Sequence, residues 1–159
     1  MVPCALAVLG VVGVSVLLGA TIYEAVVMAP NYRRDVPESL ELARRFFVRT
    51  TPAHFFRVAT PLTQAVLLVG GIASWTVASA RWPLLAALGV LVLTDVITFT
   101  FHYPRLATMF REPMPADPAP LRRAAREWAA GNLVRAALLV VALVAALRAV
   151  ATLMIRLGA

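Results

Sequence analysis

A chain of 159 residues that is 61% hydrophobic, only 14% charged and +0.82 in mean hydropathy is no soluble globular domain, disordered chain or disulfide scaffold; it reads as an integral membrane protein. All 15 basic residues are arginine against eight acids, a net charge of +7, and they crowd between apolar runs, so membrane topology accounts for them and no nucleic-acid partner is expected. The single Cys4 can form neither an internal disulfide nor a Cys-x-x-Cys pair, which excludes thiol-disulfide redox chemistry.

Crossing a bilayer core takes about 20 apolar residues. The first predicted span is 4–28, inside the run Val2 to Met28; it lacks a basic leader segment and is long for a signal-peptide core, so it reads as a retained helix. In the loop that follows, Ala29 to Arg57, the stretch Asp35 to Val48 reads as a short amphipathic helix. Leu40, Ala43 and Phe47 share one face, Leu42 and Phe46 flank it, and Glu41 and Arg45 stand at i, i+4. That helix is expected either to lie in the membrane interface or to cap the bundle. The second and third spans, 58–80 and 83–103, are separated by Arg81 and Trp82 alone and so form a tight antiparallel hairpin. The next loop, Pro104 to Asn132, is stiffened by Pro113, Pro115, Pro118 and Pro120. Asp117 followed by Pro118 is a helix N-cap with proline in the first turn, so a helix should start there, project two turns or more, and run unbroken into the fourth span, 133–155.

Lipid leaves no partner for free backbone groups, so the spans are helices. The expected fold is all-α: a single four-transmembrane-helix domain over 1–159 with two long cytoplasmic loops, one carrying the short amphipathic helix. The first loop holds Arg33, Arg34, Arg44, Arg45, Arg49 and Arg57; the other holds Arg105, Arg111, Arg122, Arg123 and Arg126. The positive-inside rule then places both loops in the cytoplasm and both termini outside, in a multi-pass protein of a bacterial inner membrane.

Ionisable groups at membrane depth cost energy and mark candidate sites. Asp95, Thr98 and His102 fall at i, i+3, i+7 on the third span, sharing one face. On the second, His54, Arg57, Pro61 and Gln64 share a face; on the fourth, Trp128, Asn132 and Arg135 do. The first adds Glu24, with Asn31 one helical repeat later. All four stripes lie at the arginine-rich end, and the opposite halves are nearly pure Val, Leu, Ala and Gly. One polar pocket at that end, roofed by the first loop, is the expectation, with Asp95 paired to Arg135 or Arg57. His54, His102, Glu24 and Asp95 are ligand types for iron or copper, but no His-x3-His or Glu-x2-His motif appears. No metal site or cofactor is therefore expected; a bound metal or a haem on His54 or His102 is the alternative.

The stretch from Gly19 through Pro30-Asn31 and the Trp128-x3-Asn132-x2-Arg135 signature resemble a widespread bacterial and fungal membrane family that includes the anthrone oxygenases. The hairpin and the arginine-rich approach to the last helix are also similar, while Tyr103-Pro104-Arg105 departs from that family's more polar segment. The resemblance implies oxidation of a hydroxylated, apolar aromatic by O₂ without a dedicated cofactor. It implies catalytic roles for His102 or His54 as base, for Asp95 orienting it, and for Arg135 with Asn132 holding an oxyanion. Trp128, Phe55 and Phe99 would stack on the ring; Glu24, Asn31, Arg57 and Gln64 complete the substrate-binding set. Two other functions compete: a non-enzymatic membrane module that binds lipid or a small molecule or supports a larger complex, and a small proton-coupled exporter. Gly10, Gly13, Ser15 and Gly19 permit close packing, so membrane lipid and a second copy of the chain are expected partners.

Overall fold

The computed structural model describes residues 1–158, which form five helices and no strand among the described residues. They are α1 (Val2–Arg34), α2 (Glu38–Phe46), α3 (Pro52–Ala73), α4 (Ala78–Met109) and α5 (Ala119–Gly158). All but α2 are long and apolar enough to cross a membrane, so this is an all-helical, multi-pass membrane protein. The four long helices pack as a ring in chain order, α1 on α3, α3 on α4, α4 on α5 and α5 on α1.

Lipid competes with protein for apolar side chains, so the spanning half is held by close packing rather than by the hydrophobic effect. Ala142, Ala146 and Ala149 form a buried small-residue stripe along α5. Where α1 crosses α3, a Cβ on Gly13 would fall 2.6 Å from the Thr63 hydroxyl oxygen, so only glycine fits. A second apolar cluster lies at the arginine-rich end, where Ala29, Tyr32, Val36, Leu40, Met109, Leu121, Ala125 and Trp128 join α1, α2, α4 and α5.

Several boundaries depart from the expected spans. α1 continues past Pro30 to Arg34 and α4 past Pro104 to Met109. Proline has no N–H and its ring clashes with the carbonyl four residues back. In both helices one wide π-turn precedes the proline and absorbs the misfit: Glu24–Met28 in α1 and Thr98–His102 in α4. The N–H of Ala29 reaches the carbonyl of Glu24, and that of Tyr103 reaches Thr98, each five residues back. The hairpin turn is Ser74–Val77, not Arg81 and Trp82. Arg81 is tolerated inside α4 because its guanidinium lies 4.5 Å over Trp75 and 4.8 Å over Trp82 and donates to the Trp75 carbonyl at 3.1 Å. α3 begins at Pro52, well before the apolar run. The last helix starts at Ala119, its backbone N–H capped by the Asp117 carboxylate at 2.9 Å, and runs unbroken through the expected fourth span.

α2 is shorter than the expected Asp35 to Val48, because the backbone leaves the helical region at Asp35 (φ −128°, ψ 72°) and at Phe47 (φ −86°, ψ 58°). It caps the bundle: Leu40 is fully buried, while Leu42 and Phe46 remain 70% and 79% exposed. Its ion pair is Arg44 to Glu112 at 2.6 Å rather than Glu41 to Arg45.

Candidate functional site

A cavity of about 610 Å³ lies at the arginine-rich end of the ring, with walls from all five helices and a roof from Ala43 and Arg44 of α2 and from Phe47 just after it. Glu24, Arg57, Gln64, Asp95, His102, Trp128 and Arg135 all line it, so seven of the ten site residues expected from sequence come together.

The three others do not line it. His54 is exposed and serves as a helix cap: its Nδ1 accepts the Thr51 backbone N–H at 3.1 Å while the Thr51 hydroxyl stands 3.1 Å from the same atom. Asn31 is exposed and donates to the Val27 carbonyl of its own helix at 2.8 Å. The π-turn after Glu24 inserts the equivalent of one residue, so Tyr32 occupies the face that regular helical spacing assigns to Asn31. Asn132 is fully buried behind the wall, where its side-chain oxygen accepts from Arg135 Nη1 at 3.3 Å.

The charged groups pair differently from the expectation. Asp95 accepts a hydrogen bond from Gln64 Nε2 at 2.6 Å, bonding neither Arg135 nor Arg57, and this joins α3 to α4 across the cavity. Arg135 stands 3.5 Å from Glu24, both side chains about 10% exposed, and its guanidinium lies 4.9 Å over the Phe56 ring. The Glu24 oxygen nearest Arg135 has no hydrogen-bond partner, nor have Arg135 Nε, Asn132 Nδ2 and both ring nitrogens of His102. No Asp95-to-His102 dyad therefore forms. Buried polar atoms are rarely left without partners, and three cavity-lining residues sharing this deficit, Glu24, His102 and Arg135, mark where a polar ligand group or water belongs.

His102 is placed by two features. It closes the π-turn of α4, and its ring lies flush on α5, where a Cβ on Gly131 would come within 2.9 Å of it. Trp128 meets it edge-on at 6.4 Å and packs against Tyr32 at 5.4 Å with the rings tilted by 42°; Tyr32 in turn meets Phe110 edge-on at 5.7 Å. The cavity thus has a polar corner of Glu24, Arg135 and His102, a second polar contact at Gln64–Asp95, and aromatic walls between. Phe56 and Phe99 line it and Phe55 does not. Counting back from Gln64 in helical steps reaches Pro61, Arg57, Phe56 and Ala53, so the choice of Phe56 over Phe55 was readable in the sequence. Tyr32 was not, because its position depends on the π-turn.

The corner offers a buried imidazole whose ring nitrogens have no side-chain partner, an anion-binding guanidinium and an unbonded carboxylate oxygen. Among the described residues no three His, Cys, Asp or Glu side chains lie together as a metal-binding group. Comparison with protein families, curated proteins and solved structures finds no match to the chain.

Proposed function

We propose that the cavity binds an uncharged hydroxylated aromatic molecule and promotes its oxidation by O₂ in the manner of the anthrone oxygenases. The observation that carries this reading is the cluster of unpartnered atoms on Glu24, His102 and Arg135 at one end of an aromatic-walled cavity of about 610 Å³. Pockets of roughly 300–1,000 Å³ hold ligands of three fused rings comfortably. The protein needs few parts for this reaction, because an anthrone-type carbon acid becomes electron-rich once deprotonated and reduces O₂ itself.

His102 takes the proton from the ring methylene, and Arg135 stabilises the charge that develops on the ring oxygen. The carbanion passes electrons to O₂ and a C–O bond forms, giving a hydroperoxide. Loss of the second methylene proton with cleavage of the O–O bond leaves the ketone and one water, so one O₂ is consumed per ring oxidised. Asp95, held by Gln64, serves a ring hydroxyl rather than orienting the base. In this reading the arginine-rich end faces the cytoplasm of a bacterial cell, with both termini outside.

The test is oxygen uptake by the purified protein in mild detergent with anthrone as the probe. The expected result is catalysed uptake of one O₂ per anthraquinone formed, falling on the order of 10²-fold or more in His102→Ala and Arg135→Ala. Turnover no faster than in buffer, or unchanged in both variants, overturns the assignment. Saturable ring binding with no turnover identifies a binding module instead. Transport has less support, since the buried residues beyond Asp95 toward the opposite face are almost all apolar.

A further inference from the structure

The cavity is open on one flank, and the opening lies at membrane depth. Arg57 and Pro61 of α3 and Phe99 of α4 line the cavity and are nevertheless exposed, Phe99 by 63%. The lower part of α4, Thr98–Met109, packs against α5 rather than α3, so the two helices part below the Gln64–Asp95 hydrogen bond. Pro61 sits inside α3 at this level and leaves the Arg57 carbonyl without its helical donor, the usual cause of a kink that splays a helix end.

Depth follows from the far end of the hairpin. Trp75 and Trp82, 65% and 61% exposed around Arg81, form the aromatic anchor of the opposite interface. At 1.5 Å per residue, Pro61 and Asp95 lie roughly 20 Å from it and Phe99 about 26 Å, inside a hydrocarbon core of about 30 Å. Arg57 stands slightly farther along, where its long side chain reaches the headgroups.

We infer that the gap between α3 and α4 is a lateral portal, through which the cavity takes a membrane-dissolved ligand with an uncharged apolar body and one hydrogen-bonding end. An open flank facing acyl chains admits what dissolves among them. The inner end presents the ligand with His102, 1% exposed with both ring nitrogens unpartnered, and with Glu24, 7% exposed. The ligand's polar end leads toward these groups and its body stays between Phe56 and Phe99. The α2 segment, tied to the α4–α5 loop by Arg44 to Glu112, roofs the same cavity at the arginine-rich end. The inference rests on the proposed binding of an aromatic ring and adds the route and the solubility class of that ring.

Trp128 lines the cavity and is 3% exposed, so a variant carrying Trp75→Phe, Trp82→Phe, Cys4→Ala and Phe99→Cys has one buried tryptophan as reporter and one thiol at the mouth. It is reconstituted in vesicles and its Trp128 emission is followed with two probes: anthraquinone, which dissolves in the bilayer, and anthraquinone-2-sulfonate, which stays in water. Expected is saturable quenching by anthraquinone alone, with apparent affinity falling about tenfold or more once the folded protein is coupled to a bulky maleimide. Modification after folding keeps a folding defect out of the comparison. Quenching by both probes, unaffected by the maleimide, overturns the portal and leaves ring binding standing. Saturable quenching by neither overturns ring binding and the portal with it.

Discussion

Glu24 and Arg135 stand 3.5 Å apart without a hydrogen bond, in a cavity lined mostly by apolar side chains. An ion pair so placed loses much of its Coulomb attraction to desolvation, while removing one partner strands the other charge, at a cost of about 3–5 kcal/mol. Glu24→Leu and Arg135→Leu should therefore each lower the thermal midpoint in detergent markedly. The double variant should be more stable than either single one, since no lone charge remains. Additive losses would falsify the pair as an energetic unit. Its looseness suits a binding corner: a group already saturated with short internal hydrogen bonds has nothing left for a ligand. The His102 ring makes the same point, being held by shape against Gly131 while neither nitrogen has a hydrogen-bond partner.

At the scale of the element, proline sets the geometry. Pro30 and Pro104 each follow a π-turn, and those turns carry Glu24 at the start of one and His102 at the end of the other. Pro61 has no such turn and acts through the missing hydrogen bond. Pro61→Ala should restore a donor to the Arg57 carbonyl and stabilise the fold by up to about 3 kcal/mol. The same change should narrow the gap beside Phe99 and weaken anthraquinone quenching of Trp128. A higher melting temperature with unchanged quenching would separate the kink from the mouth. These distortions also mark how far the site was legible. Stripes counted at regular helical spacing found Glu24, Asp95, His102 and Arg135, because each stripe lies on one helix and spans no more than about two turns between its members. The same counting chose Asn31 over Tyr32, since periodicity contains no signal for an inserted residue. It also enlisted His54, whose place at i+3 from Thr51 equally fits a capping box, the role it has.

For the whole molecule, hydropathy carried the four spans and the all-helical fold, because a stretch of some 20 apolar residues has no alternative in lipid but to satisfy its own backbone. Helix ends were less legible: an arginine between two tryptophans read as a linker, and only the stacking of Arg81 on both rings lets it sit inside α4. The ring arrangement places the Ser74–Val77 turn and the ends of α1 and α5 nearest the termini on one side, and Ala29–Arg57 with Pro104–Glu127 on the other. Eleven of the 15 arginines belong to the second side, against Arg81, Arg148 and Arg156 toward the first. Thr76 and Ala116 are exposed on opposite sides, so single-thiol variants of a Cys4→Ala protein report the orientation directly. In right-side-out bacterial vesicles a membrane-impermeant maleimide should label Thr76→Cys and spare Ala116→Cys until detergent is added, and inverted vesicles should reverse the pattern. The opposite labelling would put the cavity roof outside the cell, and the α3–α4 gap would then face the outer leaflet. The portal depends on depth alone and survives either orientation; its opening toward the cytoplasmic leaflet does not.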